Sequence, residues 1–238
     1  MNRALSAVLA LACFATPALA QDCYPWDAMG DPDAATLYEI GEPQVRFLAN
    51  GGDRPGCPSA SGCERTAYLV DGDVVVGVPD DAGDLVCAVY VGGAPNYAVT
   101  AGWLPADPLA EIDEPAPSLA GLVGRWRYGQ FHSIDLQYGA DPSALIVSGD
   151  AAYGADDPQR VASGGVNIGS IDDVLVRPED GEVAFTVDWD GKVGPYDADS
   201  DFCAVRMWRK GPYLAVTDNF SCGGNNVTFG GVYRQVSQ

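Results

Sequence analysis

The sequence predicts an all-β protein of two domains, and three observations carry that reading. Short runs of β-branched and aromatic residues recur between turn signals, and no long stretch repeats its apolar residues at helical spacing. Glycine (29) and proline (17) are spread through all 238 residues, which favours many short strands and tight turns. Apolar residues make up 47%, enough to exclude a disordered chain.

The elements follow in order. Arg3, the apolar run Ala4 to Phe14 and the small-x-small close Ala18-Leu19-Ala20 predict a cleaved signal peptide over 1–20. The run is too short to span a bilayer, which takes about 20 residues. The expected location is therefore periplasmic or secreted, with no membrane span and Gln21 as the mature N-terminus. One or two helical turns around Pro32 to Tyr38 are the only helix expected. Strands are predicted at Ala67 to Val70, Val74 to Val78, Leu85 to Val91 and Ala98 to Leu104, with turns at Asp71-Gly72 and Asp80 to Gly83. From Pro105 to Ser118 the chain is rich in Pro, Ala and acids and is expected to hold neither strand nor stable helix. The domains are accordingly 21–112 and 119–238, joined by a linker at 113–118. In the second, strands are expected around Gly124 to Trp126, Ile134 to Leu136, Ala144 to Val147, Glu182 to Trp189, Cys203 to Trp208, Tyr213 to Thr217 and Val227 to Tyr233. A glycine-rich stretch runs from Ser163 to Ser170, and Arg209 to Pro212 forms a hairpin turn.

Six cysteines remain once Cys13 leaves with the signal, and an even count in an exported chain reads as disulfides. Six thiols allow about 15 pairings, which sequence does not resolve rigorously. Spacing favours Cys57–Cys63 around a tight turn and Cys203–Cys222 across the hairpin, leaving Cys23–Cys87. Zinc lacks its usual donors: there is no CxxC, and His132 is the single histidine.

The formal charge is −20, and loss of Arg3 with the signal takes it to −21. Such a charge repels nucleic acid and anionic membranes and favours cationic partners. Nucleophilic catalysis lacks its parts, since no G-x-S-x-G elbow is present and His132, in Phe131-His132-Ser133-Ile134, reads as a partly buried structural residue. No cofactor is expected. Alternating aspartates Asp197, Asp199 and Asp201, near Asp188 to Gly191, form a weak calcium candidate. Phe202 stands where an EF-hand loop needs glycine, and Trp208 where it needs glutamate. Tyr68, Tyr90, Tyr97 and Trp103 are the candidate lining of a binding groove, because aromatic rings offer flat apolar area. Barrel core is the favoured reading of Trp103, and Tyr68 is judged the same way.

The runs Tyr68-Leu69-Val70-Asp71-Gly72-Asp73-Val74-Val75-Val76, Cys87-Ala88-Val89-Tyr90-Val91 and Thr100-Ala101-Gly102-Trp103-Leu104-Pro105 resemble bacterial Src-homology-3-like (SH3b-type) domains. The likeness covers residues 37–112, with Val45 to Asn50 as a reduced first strand and a loop enlarged by Cys57 to Cys63. It implies a small SH3-like barrel that binds a peptide or peptidoglycan component; the strands and cysteines after the linker predict a disulfide-stapled β-sandwich or barrel behind it. The tail Tyr213 to Arg234 is similar to a C-terminal module of exported bacterial proteins that has no assigned activity. The leading functional expectation is thus an exported, monomeric, non-enzymatic binding protein whose partner is a peptide, peptidoglycan or protein of the cell envelope. The alternative is a proteinaceous inhibitor of a cationic hydrolase such as lysozyme. There Ser148-Gly149-Asp150-Ala151-Ala152-Tyr153 is distantly similar to the inhibitors' Ser-Gly-x-x-Tyr loop. An acid/base hydrolase using a carboxylate pair ranks third.

Overall fold

The computed structural model describes residues 22–27, 34–114 and 118–236. The expected signal peptide, Pro32, Asp33 and the prolines Pro115 and Pro117 lie outside the described residues. The architecture is all-β, in two sheets, with the chain leaving the first at Glu111 and joining the second at Gly124.

The first sheet has seven strands: β1 (Thr36–Ile40), β2 (Val45–Leu48), β3 (Glu64–Leu69), β4 (Val74–Pro79), β5 (Leu85–Val91), β6 (Val99–Pro105) and β7 (Leu109–Glu111). Their order is β3-β2-β6-β5-β4-β1-β7. Two expectations are corrected here. Thr36 to Tyr38 is strand rather than helix, because Leu37, Tyr38 and Ile40 are buried and the backbone pairs with β4 and β7. The proline- and acid-rich segment holds β7, which completes that pairing.

Strand alternation gives the sheet two apolar faces. One holds Tyr38, Ile40, Phe47, Val75, Ala88 and Leu104. The other carries Cys87 and Trp103 at one end, where Cys23 of the N-terminal arm covers them, and Val76, Val89 and Val91 at the other. Asn50 holds the arm in place, accepting from the Cys23 N–H (3.0 Å) and donating to its carbonyl (3.2 Å). The β3–β4 turn is built as the sequence predicts. Gly72 supplies φ +81°, and Asp73 accepts from the Val70 N–H at 2.9 Å.

The second sheet is a nearly closed barrel of nine strands: β8 (Gly124–Tyr128), β9 (His132–Tyr138), β10 (Leu145–Tyr153), β11 (Asn167–Val176), β12 (Glu182–Val187), the two-residue β13 (Val193–Gly194), β14 (Cys203–Lys210), β15 (Tyr213–Asp218) and β16 (Gly231–Gln235). Apart from β13 the strands follow one another as a meander, and β16 returns to pair with β8. Among the described residues the wall is open between β11 and the edge formed by β12 and β13. Two short helices accompany it, α1 (Leu119–Leu122) and α2 (Pro158–Ser163), neither of which was expected. Trp126, Leu136, Phe185, Phe229 and Tyr233 fill the interior, and Leu122 of α1 plugs one end, its carbonyl accepting from Trp126 Nε1 at 2.9 Å. Each such side chain, fully buried, contributes about 1.5–3 kcal/mol.

All three disulfides form as spacing favoured: Cys23–Cys87, Cys57–Cys63 and Cys203–Cys222. Disulfides of this kind are typical of oxidising, extracellular or periplasmic compartments. Among the described residues no helix is long and apolar enough to cross a membrane.

Sheet and barrel share a third apolar cluster. Leu37, Val76, Val89 and Val91 meet Trp208, Tyr213, Ala215 and Val232. The Tyr213 hydroxyl donates to the Val74 carbonyl, Arg234 Nη1 donates to the Val91 carbonyl at 2.7 Å, and Lys210 pairs with Glu114 at 3.6 Å. Burial of the Tyr213 phenol raises its pKa far above the ordinary tyrosine range, so it remains a hydrogen-bond donor at any physiological pH.

Candidate functional site

The four aromatic residues expected to line one groove are dispersed, because strand alternation sends them to different faces. Trp103 pairs with Cys87 across the β5–β6 ladder and is buried against the Cys23–Cys87 disulfide. Tyr90 points from the opposite face of the same ladder, its hydroxyl donating to Asp73 (3.2 Å) with the Arg234 guanidinium 5.9 Å from its ring. Tyr97, at φ +46° in the β5–β6 loop, packs into the joint between sheet and barrel. Tyr68 is exposed on edge strand β3 beneath Arg46. No single groove brings them together.

The calcium candidate also fails to assemble. The Asp197 carboxylate accepts the Asp199 N–H (3.1 Å), and Asp188 accepts from the N–H groups of Asp190 and Lys192 (3.0 and 2.9 Å), so these aspartates shape their own turns. Among the described residues no three His, Cys, Asp or Glu side chains converge to hold a metal ion. Ser148 to Tyr153 is no loop either. It lies within β10, and Ser148 Oγ donates to Asp173 (2.7 Å).

The structure instead forms a cleft of about 1060 Å³ where the β5–β6 loop meets the end of the barrel. Its wall on the sheet side is fixed by backbone, the Gly129 N–H donating to the Tyr97 carbonyl at 2.9 Å, and by Gln130 donating to Asn96 at 3.4 Å. Gly129, at φ +60°, makes the β8–β9 turn that sets Phe131 and His132 on the cleft. Opposite stand Tyr153, at the end of β10, and α2. Asp157 caps α2, accepting from the N–H groups of Gln159 and Arg160, while Pro158 opens the helix and Gly164 closes it in the left-handed region. Arg160 lies over the Tyr153 ring at 4.9 Å and directly on Gly154, where an added Cβ would meet its Cδ at 2.5 Å. Asn226 and Thr228 complete the floor. Asp218 fixes that segment by accepting from Thr228 Oγ1 (2.6 Å) and the Phe229 N–H (2.8 Å).

Two features set the chemistry. Phe131 and Tyr153 present part-exposed rings (39% and 38%), interleaved with the side-chain amides of Asn96, Gln130 and Asn226. His132 packs edge-on against Tyr128 at 5.1 Å. Burial pushes its pKa below the usual imidazole range, and the Asp218 carboxylate pulls it partly back. The partly buried position expected of His132 is thus observed, on a wall that sequence did not identify. Of the residues weighed earlier, His132 and the Ala152-Tyr153 end of the Ser148 to Tyr153 stretch reach this cleft. The lining comes from four separate stretches, 96–99, 128–132, 152–160 and 226–230, and the signal that could have flagged one of them was the Asp157-Pro158 start and Gly164 stop of α2.

Comparison with protein-family models, with curated proteins and with solved structures finds no match to this chain.

Proposed function

We propose that the chain is an exported, non-enzymatic binding protein of the cell envelope that holds a peptidoglycan component in the cleft between sheet and barrel. One observation carries the reading: two part-exposed aromatic rings stand among three side-chain amides and the Arg160–Asp157 pair. Aromatic faces stack on the apolar faces of sugars and acyl groups, and amides pair with hydroxyl and N-acetyl groups. Thr228 Oγ1, on the same cleft as His132, is committed to the Asp218 carboxylate. This supports binding rather than catalysis.

The first sheet is read as the SH3-like unit of this protein, supported by its β4-β5-β6 meander, the β2–β6 pairing and the Gly102-Trp103-Leu104 step inside β6. Sedimentation with purified peptidoglycan at several salt concentrations tests the proposal. Binding should survive moderate salt and fall on the order of tenfold in Tyr153→Ala and Phe131→Ala. Absence of co-sedimentation at every salt concentration would end it. A second reading, inhibition of a cationic hydrolase such as lysozyme, draws on the acidic charge and on Tyr153 at the cleft. Unchanged lysozyme turnover at micromolar protein would remove it.

A further inference from the structure

Beyond that cleft, the barrel has a gap in its wall. β11 is laddered to β10, and the edge across from it is that of β12, which pairs with β14 on its far side and carries the two-residue β13 on the side toward β11. The gap is pinched at both ends. At one end Glu179 and Glu182 form a bridge that carries the chain from β11 to β12. At the other the Gly224 N–H donates to the Ile168 carbonyl at 2.9 Å, and the backbones of Gly169 and Gly223 approach too closely to admit a side chain. Between them lies a groove of about 640 Å³.

A bulge keeps the gap open. Asp172 and Asp173 together oppose the single residue Ser148 of β10, and Asp173 adopts φ +49° with its carboxylate held by Ser148 Oγ. Bulges of this kind bend a strand and turn its edge. The groove floor is apolar, with Ile171, Val174 and the Cys203–Cys222 disulfide. Its rim carries two large exposed side chains, Trp189 (82%) and Ile168 (73%). Asp150, Asp172 and Asp188 line it, and no basic residue does.

We propose that this seam accepts an extended cationic segment of a partner protein, which adds to the free edge of β11 as an extra strand. The unpaired strand edge recognises peptide backbone, a chemistry that neither a glycan nor a lipid reproduces. The carboxylates select basic residues on the rim, and the apolar floor takes the alternate side chains. At ~3.3 Å per residue, the stretch from Ser170 to Val174 spans about five residues of the incoming segment, with the ladder interrupted at the Asp172–Asp173 bulge.

The probe is a fluorescein-labelled octapeptide of alternating lysine and valine with blocked ends, titrated into the disulfide-intact mature protein and followed by anisotropy. The result expected is micromolar binding that weakens on the order of tenfold in Asp172→Asn/Asp188→Asn and is unchanged in Asp107→Asn, an exposed residue outside both groove and cleft. Amide exchange in Ser170 to Val174 should slow when the peptide is bound. Equal binding of a glutamate–valine peptide, equal binding of an N-methylated lysine–valine peptide that cannot pair as a strand, or indifference to the double substitution would each overturn the proposal. Peptidoglycan sedimentation is read separately, so failure here is distinguishable from failure of the cleft reading.

Discussion

Replacing Leu37 by alanine opens a hole in the joint between sheet and barrel, and its surroundings set the size of the effect. Leu37 is 4% exposed and shares its cluster with Val76, Val89, Trp208 and Tyr213. Truncations of buried leucine cost about 2–5 kcal/mol, according to how far the site can collapse. Collapse is limited here because the nearest wall is backbone: Gly211, at φ +53°, stands where an added Cβ would lie 2.5 Å from Leu37 Cδ2. We therefore place Leu37→Ala at about 3 kcal/mol. Gly211→Ala alone suffers twice, by about 1 kcal/mol for the left-handed backbone and about 1–3 kcal/mol for overpacking. In the Leu37→Ala background the hole receives the new methyl group and only the backbone cost remains. The double variant should thus be more stable than the sum of the singles predicts by about 1–3 kcal/mol. Urea unfolding of the disulfide-intact protein, followed by tryptophan fluorescence and circular dichroism, supplies all four corners of the cycle. Additivity within about 0.5 kcal/mol would refute the contact. A wild-type transition in two separate steps would refute the joint as a source of cooperation.

Other consequences are equally accessible. Removing the disulfides one at a time should destabilise in the order of the loops they close: about 4 kcal/mol for Cys23–Cys87, about 3 for Cys203–Cys222 and about 2 for Cys57–Cys63. A different order in denaturant midpoints would count against that account. His132 is held below its unfolded pKa of 6.5, so the unfolded chain takes up the proton first. Stability should be fully present above pH 6.5 and fall as pH drops below it, and His132→Phe should flatten that slope in unfolding measured between pH 5.5 and 7. Asp218→Ala releases Thr228 and the Phe229 N–H, each worth roughly 1.5–3 kcal/mol as a bond to a charged acceptor. It should speed amide exchange across 226–230 and weaken cleft binding, whereas unchanged exchange there would contradict the role given to Asp218.

Most of the strands were legible because β-branched and aromatic runs stand between turn signals, as Leu85 to Val91, buried on both faces, stands after the turn at Asp80 to Gly83. The failures share a cause in tertiary context. Thr36 to Tyr38 follows alanines that favour helix, yet β4 and β7 offer ladder partners on both sides, and pairing overrides local preference. β11 was missed because a strand beside an open seam keeps polar and small residues, so its periodicity is faint. α2 was announced by its caps, but it buries no residue, and Val161 is exposed, so no apolar stripe drew attention. The joint could not be read at all. Leu37, Val89 and Trp208 look like ordinary core residues, and nothing in the order of residues says which apolar face meets another sheet. The cleft was hidden for a similar reason, since its lining is gathered from segments as distant as Asn96 and Thr228.

β16 has a double duty: it closes the barrel against β8, and through Val232 and Arg234 it also fastens the barrel to the sheet. Synthesis runs from the N-terminus, so this strand is made after β1 to β15. Until it arrives, the nascent chain exposes the flank of β8 and leaves the Val89–Val91 face without the cover of Val232. Fusions or nicks that disturb Gly231–Gln235 should for that reason harm expression and solubility far more than their five residues would indicate.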